Sequence, residues 1–148
     1  MNTRYLAAKL FFGVAFLSAL IGVVLLRSGL PLEFYVNPLF LVMLPRLIPF
    51  SVAILATCFG VAYLAFERKT KQPVSVPLAV TQLILFLLGT YGHSVIVRFW
   101  WRVLGEEHAT GIPMPVWSVL LSMAAFTASL VVFVTNIVWS ARRSLQKV

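Results

Sequence analysis

Apolar residues in this chain fall into four long runs, without the strict alternation of strands or the interrupted stripes of soluble helices. The runs reach from Leu6 to Leu26, Leu47 to Phe66, Leu78 to Arg98 and Val116 to Ala141, and charge is nearly confined to their ends. About twenty residues at 1.5 Å rise cover about 30 Å, the thickness of a bilayer's hydrocarbon core. The pattern therefore predicts membrane-spanning helices at about 6–26, 47–66, 78–98 and 116–141. Within the first two runs small residues recur at helical spacing: Ala15, Ser18, Ala19 and Gly22, then Ala53, Ala56, Thr57 and Gly60. Lipid gives helices no hydrophobic reason to associate, so close approach of backbones at small residues has to supply it. The fold class expected is all-α: an integral membrane four-helix antiparallel bundle, one domain over residues 1–148, with no evident internal repeat.

The connections are read from their breakers. Asn37 followed by Pro38 is a helix start, a side-chain cap and then a residue whose missing N–H costs nothing in the first turn. A helix is expected over 38–46, lying in the interface or running on into the second span, with a kink near Arg46 where Pro45 and Pro49 interrupt it. Glu67 to Pro77 carries Arg68, Lys69, Lys71 and two prolines and reads as a hydrophilic loop, with Pro77 opening the third span. Arg98 to Pro115 begins with Phe99, Trp100 and Trp101, has Glu106, Glu107 and His108 at its centre, and is the longest exposed segment.

Composition sharpens this picture. Of 148 residues 61% are hydrophobic and 11% charged, and 12 Lys and Arg face four acidic residues for a net charge of +8. In a soluble protein that excess would point to nucleic acid. Here the cations sit between apolar runs, so anionic lipid headgroups are the expected partner and nucleic acid is not. Arg4, Lys9, Arg68, Lys69, Lys71, Arg142, Arg143 and Lys147 fall on one side of a four-span protein, against Arg27, Arg46, Arg98 and Arg102 on the other. The positive-inside bias then puts both termini in the cytoplasm, in a bacterial cytoplasmic membrane. The first run is followed by Arg27 without a small-residue cleavage site and is read as a retained helix. Cys58 is the only cysteine, which excludes an internal disulfide, and its apolar surroundings suggest an inert buried thiol.

Candidate chemistry is sparse. His93 lies inside the third run beside Gly89 and Gly92, and an ionisable residue within a span is a cofactor-ligand or proton-relay candidate. No second histidine falls within a span, so a bis-histidine haem site is not expected and no cofactor is assigned beyond haem at His93 as the alternative. His108 with Glu106 and Glu107 matches no metal-site spacing, and no metal is expected. Gln82 and Asn136 are placed to hydrogen-bond between helices. Arg98, Trp100, Trp101, Trp117 and Trp139 are interface anchors, and Arg46 is a contact for an anionic ligand or headgroup. No aspartate, paired-cysteine motif or glycine-rich phosphate loop is present, so no catalytic residue is assigned.

One resemblance adds to this. Phe59-Gly60-Val61-Ala62-Tyr63, a charged proline-bearing loop, and Leu78-Ala79-Val80-Thr81-Gln82-Leu83 leading to Leu88-Gly89 resemble a helix-loop-helix unit of haem-copper (cytochrome c) oxidase subunit I. They are more similar to small four-span membrane proteins related to a fragment of that subunit, and Leu130 to Ile137 is similar to the last helix of those proteins. Where those relatives carry histidines, this chain has Leu44-Pro45-Arg46-Leu47-Ile48-Pro49 and Gln82, so the resemblance implies a version without the haem ligands. The function expected is a non-catalytic accessory or assembly subunit of a larger membrane complex, respiratory or photosynthetic, with other membrane subunits as partners. Two alternatives stand beside it: an electron carrier using His93, which requires a Soret band lost in His93→Ala, and a small transporter or channel using Arg46, Gln82 and His93.

Overall fold

A computed structural model of the chain describes residues 5–27, 48–104 and 116–145, with side chains excepted at 93, 94, 97–104, 116, 144 and 145. The described residues form four helices and no strand: α1 (Leu6–Arg27), α2 (Ile48–Thr70), α3 (Val76–Leu104) and α4 (Val116–Leu145). The chain divides into two compact units, Met1–Val74 and Ser75–Val148. Each unit is one antiparallel helix pair, α1 with α2 and α3 with α4. The expected class, all-α with antiparallel membrane helices, is the class found. α1, α2 and the Trp117–Arg143 part of α4 are long and apolar enough to cross a bilayer, and the described apolar part of α3, Val76–Gly92, is shorter. The protein is membrane-embedded.

In the first unit the buried positions of α1, Ala8, Phe11, Ala15, Ser18 and Gly22, alternate in steps of three and four, as do Val52, Ala56, Phe59 and Tyr63 of α2. That spacing keeps one seam facing the partner helix, as in left-handed coiled coils. The Phe11 ring lies 5.4 Å from Phe59 and 5.7 Å from Tyr63, centroid to centroid, in tilted pairs. Such pairs are worth about 0.5–1.5 kcal/mol beyond simple contact. Gly22 makes room for the Phe50 ring and Gly60 for the Phe12 ring: a Cβ would lie 2.8 Å and 2.9 Å from them. Of the small-residue faces expected from the sequence, Ala15, Ser18, Gly22, Ala56 and Gly60 fall on the buried seam, and Ala19, Ala53 and Thr57 lie off it.

The second unit repeats the plan with other residues. Ala79, Gln82 and Phe86 of α3 keep the same spacing, and the buried face of α4 is Ser118, Ser122, Ser129, Asn136 and Ser140. Phe86 and Phe126 meet at 6.3 Å. Gly89 is the point of closest approach, since a Cβ there would sit 2.6 Å from the backbone nitrogen of Phe126. The second seam differs chiefly in its buried amides, Gln82 and Asn136, and in its run of serines on α4.

Several boundaries differ from the sequence reading. α2 continues to Thr70, so Glu67, Arg68 and Lys69 belong to its last turns and the connection shrinks to 71–75. Pro49 is the second residue of α2 and buried there, where a missing N–H disrupts nothing. α3 runs on past Arg98 to Leu104, taking in the aromatic beginning of what reads as a loop. The helix expected over 38–46, Arg46 itself and the Glu106, Glu107, His108 cluster lie outside the described residues.

Candidate functional site

The polar groups that matter in each unit sit at the end where the first helix begins and the second ends. In the first unit that group is Glu67, in the last turn of α2 and only 1% exposed. Its Oε2 accepts the Tyr5 backbone N–H at 2.7 Å and its Oε1 accepts the Val74 N–H at 3.1 Å. A carboxylate at a helix C-terminus faces the negative end of the dipole. The two charge-assisted bonds offset this, and one of them is to the residue that leads into α1, where a negative charge is favourable. Tyr5 has φ 65, in the left-handed region, which costs a non-glycine residue about 1–2 kcal/mol. Glu67 holds it there, while the Tyr5 carbonyl accepts the Lys9 N–H at 2.9 Å and starts the helix. Lys71, with φ 57, turns the chain out of α2 in the left-handed conformation that ends many helices.

In the second unit Asn136 does the equivalent work. Fully buried on α4, it accepts the Ser75 N–H through Oδ1 at 3.0 Å and donates from Nδ2 to the Ser75 carbonyl at 3.1 Å. Ser75 is the cap of α3, and its carbonyl also accepts the Ala79 N–H at 3.0 Å. Asn136 thus ties α4 to the backbone of the residue that precedes α3. Gln82, expected in the same role, is fully buried on the α3 face that carries Phe86. Ser129 is also fully buried, and its Oγ has no hydrogen-bond partner among the described residues. Sequence reasoning missed Glu67 and the serine seam of α4. The signal for the seam is the spacing of 118, 122, 129, 136 and 140.

Between their charged ends the helices expose large apolar side chains outside the seams. In each bilayer-length window no more than 33% of residues are buried. Hydroxyls that face outward are satisfied within their helices: Thr57, Thr127 and Thr135 donate to the carbonyls of Ala53, Met123 and Val131 at 2.8–2.9 Å. Two surface grooves stand out. One, of about 490 Å³, lies on the α1/α2 pair and is lined by Phe12, Ala15, Phe16, Ala19, Ala53, Ile54, Thr57 and Cys58. Cys58 is exposed there, which corrects the expectation of a buried thiol: it sits off the seam of Ala56, Phe59 and Tyr63, so its apolar neighbours in sequence do not enclose it. The other groove, of about 480 Å³, lies along the end of α4 between Val134, Thr135, Val138, Trp139, Arg142 and Arg143.

Of the remaining expected residues, Trp117 and Trp139 are exposed at 53% and 52%, toward the two ends of α4. His93, Arg98, Trp100 and Trp101 lie on the α3 backbone, and their side chains fall outside the described residues. Among the described residues no three His, Cys, Asp or Glu side chains gather as a metal site. Comparison of the chain with protein-family models, curated proteins and solved structures gives no match.

Proposed function

We propose that this chain is a non-catalytic accessory or assembly subunit of a larger membrane complex, crossing a bacterial cytoplasmic membrane four times with both termini in the cytoplasm. The orientation rests on the distribution of lysine and arginine between the two sides. A respiratory or photosynthetic complex is the setting suggested by the resemblance to small proteins related to oxidase subunit I, with no haem ligand carried over.

The observation that carries the reading is the groove on α1/α2. It is lined by the small residues Ala15, Ala19, Ala53 and Thr57 and the larger Phe12, Phe16 and Ile54, in the middle of two bilayer-length helices. At that depth the occupant is a lipid chain or another helix, and small residues in the lining let a helix backbone approach closely. The buried polar side chains Glu67 and Asn136 are meanwhile bound to backbone groups of their own unit, a scaffolding use of polarity.

Purification in a mild detergent tests this. The wild-type chain is expected to bring a second membrane protein with it, and Ala19→Leu with Ala53→Leu, which fill the groove, to release that protein while the helical content is unchanged. A stable monomer with nothing bound, before any substitution, would overturn the reading.

A further inference from the structure

The groove at the end of α4 has an order of chemistry that neither α4's packing against α3 nor the accessory role uses. Its lining is a strip along one helix, Val134, Val138 and Arg142 four apart with Thr135, Trp139 and Arg143 beside them. From the span outward the lining is apolar, then aromatic, then doubly cationic. The Thr135 hydroxyl is turned into its own helix, donating to the Val131 carbonyl at 2.8 Å, so the inner part offers no free polar group. The Arg143 guanidinium is seated over the Trp139 ring at 5.2 Å from its centroid, which restricts a side chain that would otherwise sweep through solvent. No carboxylate lines the groove to neutralise either arginine.

We infer that this groove binds one anionic phospholipid, with the headgroup phosphate between Arg142 and Arg143, the glycerol region beside Trp139 and an acyl chain along Val134 and Val138. Planar guanidinium groups match phosphate oxygens in pairs. An indole followed by two arginines at the end of an apolar span suits the headgroup boundary, where tryptophan is enriched. An acidic segment of a partner protein would use the arginines alone and leave the apolar trough beneath them unfilled. The site stands whether or not a partner helix occupies the α1/α2 groove.

Native mass spectrometry of the full chain released from vesicles of phosphatidylglycerol and phosphatidylcholine with identical acyl chains is the test. One retained phosphatidylglycerol is expected, and Arg142→Gln with Arg143→Gln should lower its retention by roughly an order of magnitude or more. Val134→Ser with Val138→Ser should also lower it, because the chain-binding trough is spoiled while the arginines remain. Arg68→Gln with Lys69→Gln, exposed cations at the end of α2, should leave it unchanged. Equal retention of the two lipids by the wild type would overturn the site. So would an equal loss in the Arg68 and Lys69 variant, which would mean diffuse charge, or displacement by millimolar inorganic phosphate or a short acidic peptide, which would mean recognition of the anion without the lipid.

Discussion

A carboxylate buried in the last turn of a membrane helix is costly unless its oxygens find donors, and Glu67 finds two, one before α1 and one after α2. Replacing it with alanine leaves two backbone N–H groups without their acceptor and releases Tyr5 from its left-handed conformation, at a cost of about 3 kcal/mol. Asn136→Ala gives up two neutral bonds to Ser75 and should cost about 1–2 kcal/mol, in the range of polar contacts between membrane helices. Thermal unfolding in detergent should therefore rank Glu67→Ala below Asn136→Ala, with Glu67→Gln between Glu67→Ala and wild type because it keeps one acceptor oxygen. Unchanged melting in Glu67→Ala would remove the clamp from this account. Glu67 was hard to find in the sequence for a physical reason. Hydropathy assigns a carboxylate beside Arg68 and Lys69 to water, and the donor that keeps it buried lies 62 residues away at Tyr5. Asn136 was easier, because a lone amide in an apolar run demands a partner.

The elements follow from spacing more than from residue type. Small residues at Gly22, Ala56 and Gly60 announced where α1 and α2 meet, since a residue with little or no side chain has one evident use in a lipid-exposed helix, the approach of another chain. The same logic makes Gly89 the most sensitive position of the α3/α4 pair. A methyl group at 89 would meet the Phe126 backbone at 2.6 Å, and backbone cannot swing aside as a ring can. Gly89→Ala should lower the melting temperature and force the pair apart. Gly13→Ala, with nothing within 4 Å of the added carbon, should be neutral or raise stability by up to about 1 kcal/mol through helix propensity. Equal effects of the two substitutions would contradict the close packing at Gly89. Cys58 marks the limit of such reading. In a soluble protein an apolar neighbourhood means burial, whereas in a membrane helix every face is apolar and only the seam spacing tells the inside from the lipid side.

At the scale of the whole molecule, the division into two pairs was not legible, because the two seams share steps of three and four but set Phe11, Phe59 and Tyr63 in one unit against Gln82, Ser129 and Asn136 in the other. The two units solve one problem, holding helices together in lipid, with three aromatic rings at the centre of the first and more buried polar side chains in the second. What the helices leave uncovered defines the proposed role, and the α1/α2 groove is its most specific part. Cys58 offers a direct probe, since the native thiol already lines that groove. A thiol-reactive photo-crosslinker attached to Cys58 in native membranes should yield one discrete adduct with a single membrane protein, lost when Ala19→Leu and Ala53→Leu fill the groove. Adducts with lipid alone, unchanged by those substitutions, would contradict the claim that this chain works by docking a partner's helix.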